Sequence, residues 1–154
     1  MESLKLSTWA EVVGIAAVVV SLVFVGIEIR HNTAATSAQA LLELNNAFNE
    51  ISLLQAEEAE LADILLRGDS DLGSLGPIEH RRYAVFTSAL MNTHENAFMF
   101  NKSGILDSDN YRGYAEALCI EMAIPGTRAL WTTGEFVLHE VFDDFIEKMC
   151  GISR

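Results

Sequence analysis

The chain has 154 residues, about one domain's worth, and half of them are hydrophobic, which excludes a disordered chain. Acidic residues outnumber basic ones 22 to 10, for a net charge of −12, which excludes a protein that binds nucleic acid through the phosphate backbone. Two cysteines exclude a disulfide-stapled miniprotein and a four-cysteine zinc site.

The apolar residues crowd the N-terminus. Val12 to Ile27 reads VVGIAAVVVSLVFVGI, without a charge. Extended to Trp9 and Ile29, the run is interrupted only by Glu11 and Glu28. A bilayer core of about 30 Å needs about 20 helical residues at ~1.5 Å each, so this run just spans. Its Val, Ile, Leu and Phe side chains contribute on the order of −5 kcal/mol to insertion. In water so many valines favour a strand, but in lipid an isolated strand leaves its backbone unpaired, so helix is expected. Trp9 suits a headgroup anchor. A buried core helix and a secretory signal with a small-x-small site at Ala38-Gln39-Ala40 are the competing readings. Ala10, Gly14, Ala17 and Ser21 share one helix face, the spacing that lets two membrane helices pack closely. Lys5 precedes the span and Arg30 follows it, so basic residues set the orientation weakly. The reading adopted is a single-pass anchor in the inner (cytoplasmic) membrane, with a cytoplasmic C-terminal domain. Its cysteines are expected reduced there.

Residues 31–154 carry 19 of the acidic and 8 of the basic side chains, so this part faces water. Leu41, Leu44, Phe48 and Ile51 recur with helical spacing, and Leu54, Leu61 and Leu65 extend the stripe. A break is expected near Asn32 or Ala56, and Gly68 reads as a helix stop. Asp69 to Gly76 is a loop by composition, and Pro77 stands at a first helical position. A helix is expected from Pro77 to Lys102, with Tyr83, Phe86, Leu90, Met91, His94 and Phe98 on one face and Gly104 past its end. Asp107 or Ser108 caps the next helix, which runs through Tyr111, Tyr114, Leu118 and Met122 and stops before Pro125-Gly126. Thr127 is read as the cap of a short helix holding Leu130 and Trp131, interrupted at Gly134. A last amphipathic helix starts at Phe136 and Val137, continues through Phe142 and Phe145, and ends at Gly151. The fold class is all-α: a transmembrane helix over 1–30 and an acidic bundle of four or five helices over 31–154.

The candidate chemistry is sparse. Glu28 and His31 form the one Glu-x-x-His, where a di-metal site needs two. Glu135 and His139, at i and i+4, would share a helix face, with His80 as a third zinc ligand if the fold gathers them. Glu57, Glu58, Glu60 and Asp63 read as a solvated acidic face without calcium-loop spacing. His94, Glu95, Asn96 and Arg128 are read as a polar core cluster, with Arg128 paired to Glu95 so that Arg128→Ala destabilises the domain. Cys119 reads as a small core residue; it bonds to Cys150 only if the domain faces an oxidising compartment. No nucleophile elbow, phosphate loop, dinucleotide fingerprint or metalloprotease motif occurs in the chain, so no catalytic residue, metal or cofactor is assigned.

Several patterns in order carry a resemblance. WAEVVGIAAVVVSLVFVGIEIRHNT opens it; Glu95-Asn96-Ala97-Phe98, Ser103-Gly104-Ile105-Leu106-Asp107 and Pro125-Gly126-Thr127-Arg128-Ala129-Leu130-Trp131 follow, with Phe142 and Phe145 late in the chain. Together they resemble a family of small uncharacterised bacterial proteins with an N-terminal membrane helix and an α-helical domain. The resemblance implies that architecture and no activity. The expected function is a membrane-anchored protein-interaction or accessory subunit. Its partners are the lipid bilayer, an unidentified protein, and a second copy through the membrane helix. A small-ligand or metal-binding sensor, with the bundle core as its pocket, is the alternative.

Overall fold

A computed structural model describes residues 2–154. Six helices follow in order: α1 (Glu2–Glu57), α2 (Ala59–Ser70), α3 (Pro77–Lys102), α4 (Ser108–Met122), α5 (Pro125–Thr133) and α6 (Glu140–Cys150), with a 3₁₀ turn at Leu72–Ser74 between α2 and α3. No strand occurs among the described residues, so the protein is all-α. Two compact units result, one ending at Gln39 and one formed by Ala40–Arg154.

The first unit is the N-terminal part of α1. Its side chains from Val12 to Ile29 stand exposed, Val20 and Leu22 by about two thirds. This is the one helix among the described residues that is long and apolar enough to cross a membrane, and none of its apolar window is buried. The buried-core alternative requires the opposite. Helix α1 runs through Asn32, and the break falls at Glu58, close to the expected Ala56.

The second unit is a bundle with two packed apolar clusters. The larger joins Leu61, Ile64 and Leu65 of α2 to Tyr83 and Met91 of α3, Leu118 and Met122 of α4, Leu130 and Trp131 of α5, and Phe142 and Ile146 of α6. The smaller joins Leu44 of α1 to Ala97, Leu106, Tyr111 and Ala115. Leu41 and Phe98 pack at its edge. Local chemistry sets the ends. Pro77 opens α3, where the missing N–H costs nothing. Asp107, rather than Ser108, caps α4 by accepting from the Asn110 N–H at 2.8 Å. Gly134 and Gly151 end α5 and α6 with φ of +75° and +65°, where a side chain is strained.

Three expectations change. Helix α2 passes through Gly68 rather than stopping there. Thr127 caps nothing: α5 starts two residues earlier at Pro125, and Thr127 is buried. Residues 135–139 are not helical, so Glu135 and His139 share no helix face. Phe136 and Leu138 are buried while Val137 between them is 87% exposed, the alternation of an extended segment.

An ionic clamp closes the α2–α3 turn. The Arg67 guanidinium donates to both Glu79 carboxylate oxygens, at 2.6 and 3.2 Å, and to Asp63 at 2.9 Å. Glu79 also accepts from the Gly76 N–H at 2.8 Å. The hydrogen bond from Arg67, reinforced by that N–H, holds the Glu79 carboxyl down at about 2 against an ordinary 4.5. A lowered acid stabilises the fold above its unfolded value and loses that effect as pH falls through its folded value. Glu79→Gln is therefore expected to lower the Tm at pH 7, with the gap from wild type closing between pH 4.5 and 2 in thermal melts. A gap independent of pH would mean that the clamp acts through shape alone.

Candidate functional site

The bundle holds a partly open cavity of about 350 Å³. Each contributing helix turns a pair or short run of residues into it at helical spacing. Helix α1 brings Phe48, Ile51, Ser52 and Gln55; α2 brings Leu65 and Asp69; α3 brings Phe86, Thr87, Leu90 and His94; α4 brings Ala117 and Glu121; Ile124 and Thr127 close it at the start of α5. A second hollow of about 390 Å³, lined by Ile51, Leu54, Leu61, Val85, Phe86 and Ala89 together with Arg81 and Arg82, is mostly apolar and is lined by no carboxylate.

Two glycines beside the cavity let α2 and α5 meet. At the crossing of α2 and α5, a Cβ on Gly126 would sit 2.5 Å from the Tyr83 hydroxyl and closer still to the Gly68 carbonyl oxygen. A Cβ on Gly68 would run into the Tyr83 ring. The bare backbones let Tyr83 lie fully buried between them and donate its hydroxyl to Asp69 at 2.9 Å. Burial pushes the Tyr83 hydroxyl well above its ordinary range, so it stays a proton donor. Asp69 is thereby fixed at the cavity wall. Glu121 is half-buried, and burial, then the charge of Asp69, pushes its carboxyl up. Neither Asp69 nor Glu121 forms an ion pair among the described residues.

His94 also lines the cavity and is 2% exposed. Phe48 meets its ring edge-on at 4.9 Å, and Phe48 stacks on Tyr114 at 5.6 Å. The Tyr114 hydroxyl donates to Asn45, holding that wall to α1. Burial lowers His94 to about 4 from 6.5, opposed by a hydrogen bond to the Tyr114 backbone, so the ring is neutral at pH 7. Its Nδ1 has no hydrogen-bond partner.

The four residues expected as one polar cluster are not brought together. His94 faces the cavity. Glu95, also buried, accepts instead from the backbone N–H of His139 at 2.7 Å and lies 3.0 Å from its Nδ1. Asn96 and Arg128 are exposed. His139, not Arg128, is thus the partner of Glu95, because the extended 135–139 segment crosses α3 there. The same segment places Glu135 2.6 Å from His80. Two separate His–carboxylate pairs strap it down, and no group of three metal-ligating side chains forms among the described residues. Gly14, Ala17 and Ser21 are exposed on α1; Ala10 lies on the same helix, and its side chain is outside what the structure describes.

Cys119 of α4 and Cys150 of α6 form a disulfide with Cα atoms 5.2 Å apart. It ties the last helix to the bundle, and the Arg154 guanidinium pairs with Asp143 just beyond it at 2.7 Å. Asp143 in turn accepts from the Trp131 indole N–H at 2.8 Å.

Sequence reasoning found His94 but not Asp69, Glu121 or Thr87. Thr87 was legible, because Tyr83, Thr87, Leu90 and His94 recur at 4, 3 and 4 along α3. No family model matches the chain, and neither its sequence nor its fold matches a characterised protein or a solved structure.

Proposed function

We propose that the chain is a single-pass protein of the cytoplasmic membrane whose helical domain serves as a non-catalytic accessory module on the outer, oxidising side. The observation that carries the anchor is the apolar helix with none of its window buried. Side chains from Val12 to Ile29 that find no cover within the chain belong in lipid, where a helix satisfies its own backbone. The Cys119–Cys150 disulfide supports the side. Such bonds persist in oxidising compartments and are rare in the cytosol. This reverses the cytoplasmic placement read from the sequence, and the basic count, Lys5 against Arg30, is even and offers no resistance. On this reading the partners are the bilayer and a protein on the outer side, a second copy included.

Fractionation of cells carrying a C-terminally tagged chain tests it. The chain is expected to stay in the membrane pellet through alkaline carbonate. The tag is expected to be cut by protease added outside the membrane. Both cysteines should resist maleimide until reduced. Recovery in the soluble fraction overturns the anchor; an intact mass lacking residues through Ala40 makes the segment a cleaved signal instead. A shielded tag with reactive thiols overturns the outer placement.

A further inference from the structure

We propose that the cavity of the helical domain binds a small organic cation, its ammonium seated by Asp69 and Glu121 and its apolar body against Phe48 and Phe86. Three observations converge on that chemistry, and none depends on the membrane reading.

The first is charge without a partner. Asp69 and Glu121 line one cavity, and no Lys, Arg or protonatable amine lines it with them. The charge of Asp69 raises the carboxyl of Glu121, so each is within electrostatic reach of the other. Two half-buried carboxylates repel, and a cation placed at both relieves the repulsion. Asp69 is held in place for this by the buried Tyr83 hydroxyl.

The second is His94. It is 2% exposed, lines the same cavity and carries a partnerless Nδ1. Buried polar atoms are nearly always paired, so an orphan on a cavity wall marks a place where another molecule completes the bonding. A neutral imidazole nitrogen accepts a hydrogen bond, so the completing molecule carries a donor, as an ammonium or a hydroxyl does.

The third is the remaining wall. Phe48 and Phe86 offer aromatic surface, and Leu65, Leu90 and Ile124 offer aliphatic surface. Aromatic faces attract cations and bury hydrocarbon. At about 350 Å³ the space lies at the small end of ligand pockets. A bare metal ion fits this wall poorly, and the carboxylates come without the third ligating side chain that a metal site needs.

The test is titration calorimetry of the full chain in nanodiscs with three probes: 2-phenylethylammonium, the anion 3-phenylpropionate, and calcium chloride. The ammonium is expected to bind saturably, one per chain, and the other two are not. Glu121→Gln should weaken binding about tenfold, the loss of one charge-assisted contact. Ala117→Leu, which narrows the cavity and keeps both carboxylates, should abolish it. Both variants are first checked for an unchanged helical signal and melting transition. Because the surface of this acidic chain attracts any amine, equal binding by wild type and both variants overturns the proposal. So does the absence of saturable binding, equal binding of 3-phenylpropionate, or saturable calcium binding that Glu121→Gln removes while the ammonium does not bind.

Discussion

Gly126→Ala is expected to cost the helical domain about 3 kcal/mol or more, the upper end of what overpacking does. The new methyl has no free direction. Its nearest neighbour is the Gly68 carbonyl oxygen, a backbone atom, and the next is the Tyr83 hydroxyl. A flexible side chain could step aside, but here α2 and α5 themselves would have to separate. Separation would pull on Leu130 and Trp131, both fully buried, and break the Tyr83–Asp69 hydrogen bond. Gly68→Ala meets the Tyr83 ring and is expected to be destabilising too. The gain of roughly 1 kcal/mol in helix propensity offsets part of that cost. Gly113→Ala is the control. Gly113 lies inside α4, exposed, with nothing within 4 Å of its added Cβ, so the same propensity should stabilise it by up to about 1 kcal/mol. Thermal melts of the three full-length variants read this directly. A drop of roughly 10 °C for Gly126→Ala, against a small rise for Gly113→Ala, is expected for a domain this size. Equal shifts would mean that α2 and α5 do not cross at their glycines.

Gly68 also marks how far the sequence could be read. A glycine after Arg67 looks like a helix end, because local propensity is all that a linear reading weighs. Its actual use is tertiary: α2 continues for two residues, and the missing side chain admits a ring from α3. The segment 135–139 misled for a related reason. Phe136, Val137 and Val141 fit a helical stripe, yet Phe136, Val137 and Leu138 alternate in, out and in because the backbone is extended there. The alternation was present in Phe136-Val137-Leu138, but three residues are too few to separate the two periods. Helix α3 was legible end to end, since Pro77 opens it by local chemistry and its stripe, Tyr83 to Phe98, spans about four turns. The exposed apolar helix was legible from composition alone. The cavity was half legible. His94 interrupts an apolar stripe and so draws notice; Asp69 and Glu121 are ordinary surface letters until α2 and α4 bring them to one space. The disulfide follows the same logic, since only the packing of α6 on α4 sets Cys150 beside Cys119.

Stability of the domain is expected to fall as pH drops from 6.5 to 4, with His94 responsible. In the unfolded chain its imidazole takes up a proton near 6.5. In the folded chain burial holds it neutral to about 4. Between those values the unfolded state binds the extra proton, so acidification favours unfolding; below about 4 both states are protonated and the effect is complete. The full loss is on the order of 3 kcal/mol, a large share of a small domain's stability. The groups around the ring set the sign clearly. Phe48 of α1 is apolar, Tyr114 of α4 is neutral across the range, and the carboxylates on the same cavity are Asp69 and Glu121. Glu121, with its raised carboxyl, works in the opposite direction: its cost to folding is relieved as it takes up a proton on acidification. Glu79 acts in a separate window, below 4.5. The His94 share is therefore isolated by difference. Denaturant midpoints of wild type and His94→Gln, measured from pH 7.5 to 4.5, should diverge in slope, with the variant losing the decline that wild type shows below 6.5. Parallel curves would mean that the imidazole is protonated in the folded state, and that an unseen anion or water reaches the Nδ1 left alone beside Phe48.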